Sequence, residues 1–170
     1  MSNHDNVSMI KSLIKDFISN NEYSFLFICG DSGSGKTMAI QEFIKEQKSS
    51  DVDYVIVYSH APIVGGNREI YQSFLSALTG CFDRKRSELE IIKLLEHILQ
   101  DIVDNGRLPI VVLDDAQYLR HSKRMPVMNT LKQITETTRV KFIFTSTEEL
   151  IPLLPSSVAR KSMEYFLQGA

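Results

Sequence analysis

The sequence predicts an α/β fold in which helices cover both faces of a parallel sheet. Short, nearly continuous apolar runs alternate along the chain with stretches whose apolar residues recur at helical spacing. The first such run leads straight into a glycine-rich loop that opens a helix, the strand–loop–helix order of a phosphate-binding unit. With 170 residues, 43% apolar and 24% charged, the chain has the size and make-up of one globular domain with one sizeable core.

Val7, Ile10, Leu13, Ile14, Phe17 and Ile18 predict an amphipathic helix over residues 7–20, packed on the core and ended by Asn20-Asn21. Tyr23 to Cys29 reads as the first strand and Met38 to Gln47 as the helix after the loop. Ser49-Ser50-Asp51 then makes a turn, and the β-branched run Tyr54 to Tyr58 a second strand. His60 to Asn67, with Pro62 and Gly65-Gly66, is a loop. Ile70, Phe74, Leu75 and Leu78 mark a helix stopped by Gly80. Ser87-Glu88-Leu89-Glu90 has the capping-box pattern and opens a third core helix that runs to Asp104. Pro109 to Leu113 is a strand, Val127 to Glu136 a helix and Val140 to Thr145 a strand. A short helix is expected from about Thr147, and a last strand over Met163 to Leu167.

Gly30-Asp31-Ser32-Gly33-Ser34-Gly35-Lys36-Thr37 fits G-x-x-x-x-G-K-[ST] without a mismatch, with Met38 next in the helix. The backbone has to curl with its N–H groups inward around a phosphate chain, and a side chain at Gly30 or Gly35 would obstruct the curl or the approach. Lys36 brings positive charge to the β- and γ-phosphates. The Thr37 hydroxyl suits a Mg²⁺ ion, and the helix N-terminus adds its partial positive charge. A nucleoside triphosphate is the expected ligand.

Ile110-Val111-Val112-Leu113-Asp114-Asp115 puts two acids after a buried strand, where the carboxyl end of a parallel sheet faces its ligand. Asp114 suits the magnesium shell. Asp115 suits the polarisation of an attacking water, with a side chain one methylene shorter than glutamate. After the next strand, Thr147 is the first choice and Thr145 the second for sensing the γ-phosphate; the same residues also suit a helix cap. His60 and His97 lack ligand-like partners in sequence, and Tyr58 and Tyr118 form no base-stacking set.

A net charge of −2 excludes a global pull toward nucleic acid or membrane, so any DNA contact has to be local. The candidates are Arg84-Lys85-Arg86 and the cluster with Lys123 and Arg124. Cys29 and Cys81 have neither disulfide-framework nor metal-ligand spacing, so reduced thiols in a cytoplasmic protein are expected. The N-terminus lacks signal-peptide regions, and no apolar stretch is long enough to cross a bilayer.

Together these parts resemble the AAA+ ATPases, within them the branch containing TnsC, TniB, MuB and the ExeA-type ATPases. The likeness rests on Leu113-Asp114-Asp115-Ala116-Gln117-Tyr118-Leu119, on Pro62 through Ile70 to Gly80, and on Thr147-Glu148-Glu149-Leu150 leading to Ser157-Val158-Ala159-Arg160. It implies the P-loop NTPase three-layer α/β/α sandwich, with a parallel five-stranded sheet in the order 5-1-4-3-2. Residues 1–170 would form a single AAA+ core domain whose helical lid is absent. It further implies homo-oligomers with ATP at subunit interfaces, Arg160 acting in trans in a neighbour's site, and a transposase or other protein partner. Asp115 stands where the family usually has glutamate, which points to slow turnover.

Two functions follow as expectations. The first is ATP binding and hydrolysis with Mg²⁺ that drive assembly on double-stranded DNA, of the transposition target-selection type. The second is a nucleotide-gated protein-interaction module, a secretion or defence regulator, with slow hydrolysis and no DNA role.

Overall fold

The structure, a computed structural model, describes residues 2–48, 51–121 and 123–167. Five strands, β1 (Phe25–Cys29), β2 (Tyr54–His60), β3 (Leu108–Asp114), β4 (Lys141–Ser146) and β5 (Ser162–Phe166), pair in parallel in the order β2-β3-β4-β1-β5. That is the expected 5-1-4-3-2 order read from the other edge. β1 and β4 are buried along their whole length and β3 nearly so, as strands covered on both faces must be.

Side-chain alternation divides the core in two. Phe25, Phe27, Val111, Leu113, Phe142 and Phe144 face α3 (Asn67–Thr79), α4 (Glu88–Asp104) and α5 (Val127–Thr138). Leu26, Ile28, Ile110, Val112 and Ile143 face α1 (Asn3–Ser19) and α2 (Lys36–Gln47). The parallel register sets Phe25 against Phe142 and Phe27 against Phe144, with ring centroids 5.8 and 4.9 Å apart.

Local chemistry fixes the helix ends. Ser2 and Asp5 form a capping box, so α1 begins four residues before its first apolar contact at Val7. The Ser87–Glu90 box opens α4 as expected, with Glu90 N–H donating to Ser87 Oγ at 3.3 Å and Ser87 N–H to Glu90 Oε2 at 2.7 Å. Gly80, at φ +70°, ends α3. The turn expected at Ser49-Ser50 lies outside the described residues.

The helix expected from Thr147 is not formed. Thr147 and Glu148 lie in a bend, followed by a 3₁₀ turn (Ile151–Leu153) and the four-residue α6 (Ser156–Ala159). Pro152 and Pro155 explain the break, since each lacks an N–H and would fall inside a helix begun at Thr147. A 3₁₀ turn over Ala116–Arg120, which follows Asp115 at φ +57°, was not foreseen from the sequence pattern.

Lys141 opens β4 yet is almost wholly buried. Its ammonium donates to the Phe17 and Tyr23 carbonyls at 2.9 Å and to that of Asn20, and lies 4.6 Å from the Phe17 ring centroid. It thereby ties the C-terminal end of α1 to the sheet. Burial pulls its pKa down to about 8. Replacing it with methionine leaves three carbonyls without this donor, with an expected cost of about 3 kcal/mol. Between pH 8 and 10 the unfolded lysine stays protonated while the folded one does not, so this group adds stability as pH rises. The stability difference between wild type and Lys141→Met, measured by urea unfolding, should widen over that range.

Candidate nucleotide-binding site

The loop between β1 and α2 curls as its glycines predict. Gly30 N–H donates to the Ser146 carbonyl at 3.1 Å, which fixes the loop's start to the end of β4. Ser34 N–H donates to the Asp31 carbonyl at 3.2 Å, making the turn. A Cβ on Gly30 would come within 2.8 Å of Leu167 Cβ, and Gly35 sits at φ +92°, a conformation that favours glycine. Among the described residues, the amides of Gly33, Gly35, Lys36 and Thr37 have no hydrogen-bond acceptor in the protein. Free amides at the start of α2 form an anion site.

These groups border a cavity of about 330 Å³, lined by Ser32 to Met38 together with Asn3, Asp114, Asp115 and Thr147. Gly30 and Asp31 do not line it; their carbonyls receive the Lys36 ammonium at 2.6 and 2.8 Å, and Ser34 Oγ lies 3.0 Å from it. Burial lowers the Lys36 pKa, and Asp114 leads the nearby groups that push it back up. A larger cavity of about 570 Å³ lies at the opposite end of the sheet, where α1, α4 and α5 finish. Helix C-termini carry partial negative charge, so that end is unsuited to a polyphosphate.

Asp114, at the end of β3, gathers four donors. Thr37 Oγ1 donates to its Oδ2 at 2.7 Å and Asp115 N–H to its Oδ1 at 3.1 Å. The hydroxyls of Thr145 and Tyr58 also donate to it. Burial would raise its pKa, but the hydrogen bonds from Thr145, Tyr58 and Thr37 outweigh that and hold the carboxyl below the usual range. Conversely, burial and the Asp114 carboxylate push the Tyr58 phenol well above its ordinary pKa, so it remains a donor.

Asp115 is half exposed and sits in the left-handed region, where aspartate is tolerated better than longer side chains. Its Oδ1 accepts from Gln117 Nε2 at 3.3 Å, and its Oδ2 lies 3.7 Å from His60 Nδ1. His60 Nε2 in turn lies 3.2 Å from the Tyr58 hydroxyl. The view that His60 lacks partners is therefore corrected, and Tyr58 and His60 join the site unannounced by any motif. The signal that finds them is register. β2 pairs with β3 so that His60 stands opposite Asp114, with Tyr58 two residues back on the same side.

Thr145 reaches Asp114 and also accepts from Asp115 N–H at 3.2 Å, whereas Thr147 is exposed at the cavity and donates its N–H to Gln117 Oε1 at 3.3 Å. Arg160 lies outside this cavity, exposed, with its Nε donating to Ser156 O at 3.3 Å.

The basic clusters divide. Lys123 is exposed, Arg84 lies over the exposed Phe82 ring, and Arg86 pairs with Asp83 at 2.7 Å. Arg124, expected on a DNA-facing surface, is instead 3% exposed. Its guanidinium donates to Gly65 O at 2.7 and 3.1 Å, to Pro62 O at 2.5 Å and to Tyr118 O at 3.2 Å. All these acceptors are main-chain carbonyls, so Arg124 is a structural clamp and unavailable to DNA.

Comparison with known proteins agrees with this fold. A family model described as AAA domain matches residues 20–154. An uncharacterized ATP-binding protein of Pyrococcus horikoshii is 24% identical over 144 residues, covering 70% of this chain and 44% of that protein. Among solved structures, ORC1 of Aeropyrum pernix in complex with DNA superposes with a TM-score of 0.71 at 14% identity, over 96% of this chain and 44% of that one. Cdc6p of Pyrobaculum aerophilum gives 0.67 at 16% identity, over 95% and 44%. At such identities the structural likeness speaks for the fold alone, and the chain spans less than half the length of these relatives. Among the described residues, no helix is long and apolar enough to cross a membrane.

Proposed function

This chain belongs to the AAA domain family of P-loop ATPases, and on that premise we propose that it hydrolyses ATP with Mg²⁺ to drive assembly on DNA. The observation that carries the reading is the row of free amides beside the Thr37–Asp114 pair, because it offers polyphosphate donors and hard oxygen ligands in one cavity. Mg²⁺ fits this donor set: the Thr37 hydroxyl and Asp114 carboxylate oxygens lie 2.7 Å apart. When bound, the ion would neutralise charge on the phosphates. Lys36 and the loop amides hold the phosphate chain. Asp115 orients the attacking water and draws its proton, Thr147 or Thr145 senses the γ-phosphate, and Arg160 completes a neighbouring protomer's site.

The DNA part of the reading draws on the resemblance to transposition ATPases and on the DNA-bound relative of the same fold. Exposed Arg84, Lys85 and Lys123 would contact phosphates without reading bases. The second reading, a nucleotide-gated interaction module with slow turnover, is favoured by Asp115, which is short and held by Gln117.

ATP turnover measured across protein concentrations, with and without duplex DNA, separates the two. Turnover per protomer should climb with concentration and with DNA. Asp115→Asn should lower it about 100-fold while ATP binding persists. Binding without turnover at any concentration, with no response to DNA, would replace the first reading by the second.

A further inference from the structure

We infer that Asn6 is a positioning residue for the phosphate loop, an inference that rests on the nucleotide reading above. Asn6 lies on the core-facing side of α1, 1% exposed, among Val7, Ile10, Ile14 and Phe17. Its Nδ2 donates to the Ser34 carbonyl at 3.3 Å, the one donor to that carbonyl among the described residues. α1 abuts the same peptide from its other residues too. A Cβ on Gly35 would stand 3.4 Å from Val7 Cγ2 and 3.7 Å from the Asn3 carbonyl oxygen.

The C=O and N–H of one trans peptide point in opposite directions. Drawing the Ser34 carbonyl toward α1 therefore turns the Gly35 N–H away from α1. Among the described residues that amide has no acceptor, and Gly35 lines the phosphate cavity. Asn6 thus holds one of the ligand's donors in orientation before the ligand arrives, and lowers the cost of ordering the loop on binding.

A second observation separates this role from packing. Asn6 Oδ1 is buried with no hydrogen-bond partner among the described residues. A buried, unpaired acceptor lowers stability, and a leucine here would continue the apolar stripe of α1 without that penalty. The amide cannot be reversed to relieve it, because the Ser34 carbonyl requires a donor. A side chain kept at a cost to the fold, with its useful half on the loop, is explained by the loop.

The test uses Asn6→Leu and Asn6→Ala, with urea unfolding in the absence of nucleotide and calorimetric affinities for ATP and for inorganic pyrophosphate, both with Mg²⁺. The expected result is an Asn6→Leu unfolding midpoint equal to or above that of wild type. ATP and pyrophosphate affinities should both fall about tenfold, by the same factor. If Asn6→Leu fails to fold, Asn6→Ala is read for the same matched loss. Affinities within twofold of wild type, or an ATP loss that pyrophosphate does not share, overturn the inference and leave the nucleotide reading standing. So does the failure of both variants to fold, which makes Asn6 a packing residue. Wild type binding neither ligand overturns both.

Discussion

Lys36→Ala is expected to reduce ATP affinity by at least about 100-fold, while the unfolding midpoint in the absence of nucleotide stays nearly unchanged. The two readouts separate because the ammonium does different things in the two states. Without ligand it is folded back on the Gly30 and Asp31 carbonyls and Ser34 Oγ, and burial works against its charge. Those hydrogen bonds and that burial cost oppose one another, so the net contribution to folding is small. Against a polyphosphate the same group gains charge-assisted hydrogen bonds worth about 1.5–3 kcal/mol each, and its depressed pKa returns toward the ordinary lysine value. Isothermal titration with MgATP checks the first readout and urea unfolding the second. A variant that still binds ATP within threefold of wild type would mean that the loop amides suffice and that Lys36 is a structural tether.

Lys36 and its loop were legible in the sequence because their chemistry is local. Eight consecutive residues set the curl, the charge and the metal-facing hydroxyl, and an apolar run before them fixes the end of the sheet where they lie. The same holds for Asp114, which ends the buried run Ile110 to Leu113. Tyr58 and His60 were not legible in that way. Tyr58 meets Asp114 across 56 residues of chain, and only the pairing of β2 with β3 brings them together. Asn6 was hidden for another reason. It stands one residue before the helix expected over residues 7–20, whereas α1 starts at Asn3, and its burial follows from how that extra turn lies against the loop. The helix expected at Thr147 was misplaced because a strand-end threonine followed by two glutamates looks like a cap, while Pro152 and Pro155 decide where the turns can form.

Arg124→Ala is expected to destabilise the protein by about 3–5 kcal/mol, the second large effect, and this although the residue sits in a run of basic residues that reads as solvent-exposed. Arg124 donates four hydrogen bonds to three carbonyls, joining the loop after β2, through Pro62 and Gly65, to Tyr118 in the 3₁₀ turn after Asp115. Among the described residues no carboxylate is bonded to it, so the planar fork of donors, more than charge pairing, is what the site uses. Truncation leaves three carbonyls short of a donor and opens a void, which for a domain of ordinary stability is a large share of the total. Arg124→Lys should recover little, because one ammonium on a flexible stem cannot span all three carbonyls in the same plane. Lys123→Ala, one residue away and exposed, should leave stability within about 0.5 kcal/mol of wild type. If duplex DNA is bound, it should also make the salt dependence of binding shallower by about one ion. Urea unfolding of the three variants, followed by DNA titration at several salt concentrations, tests the division. Arg124→Ala with wild-type stability and a shallower salt slope would return this arginine to the surface and make the clamp illusory.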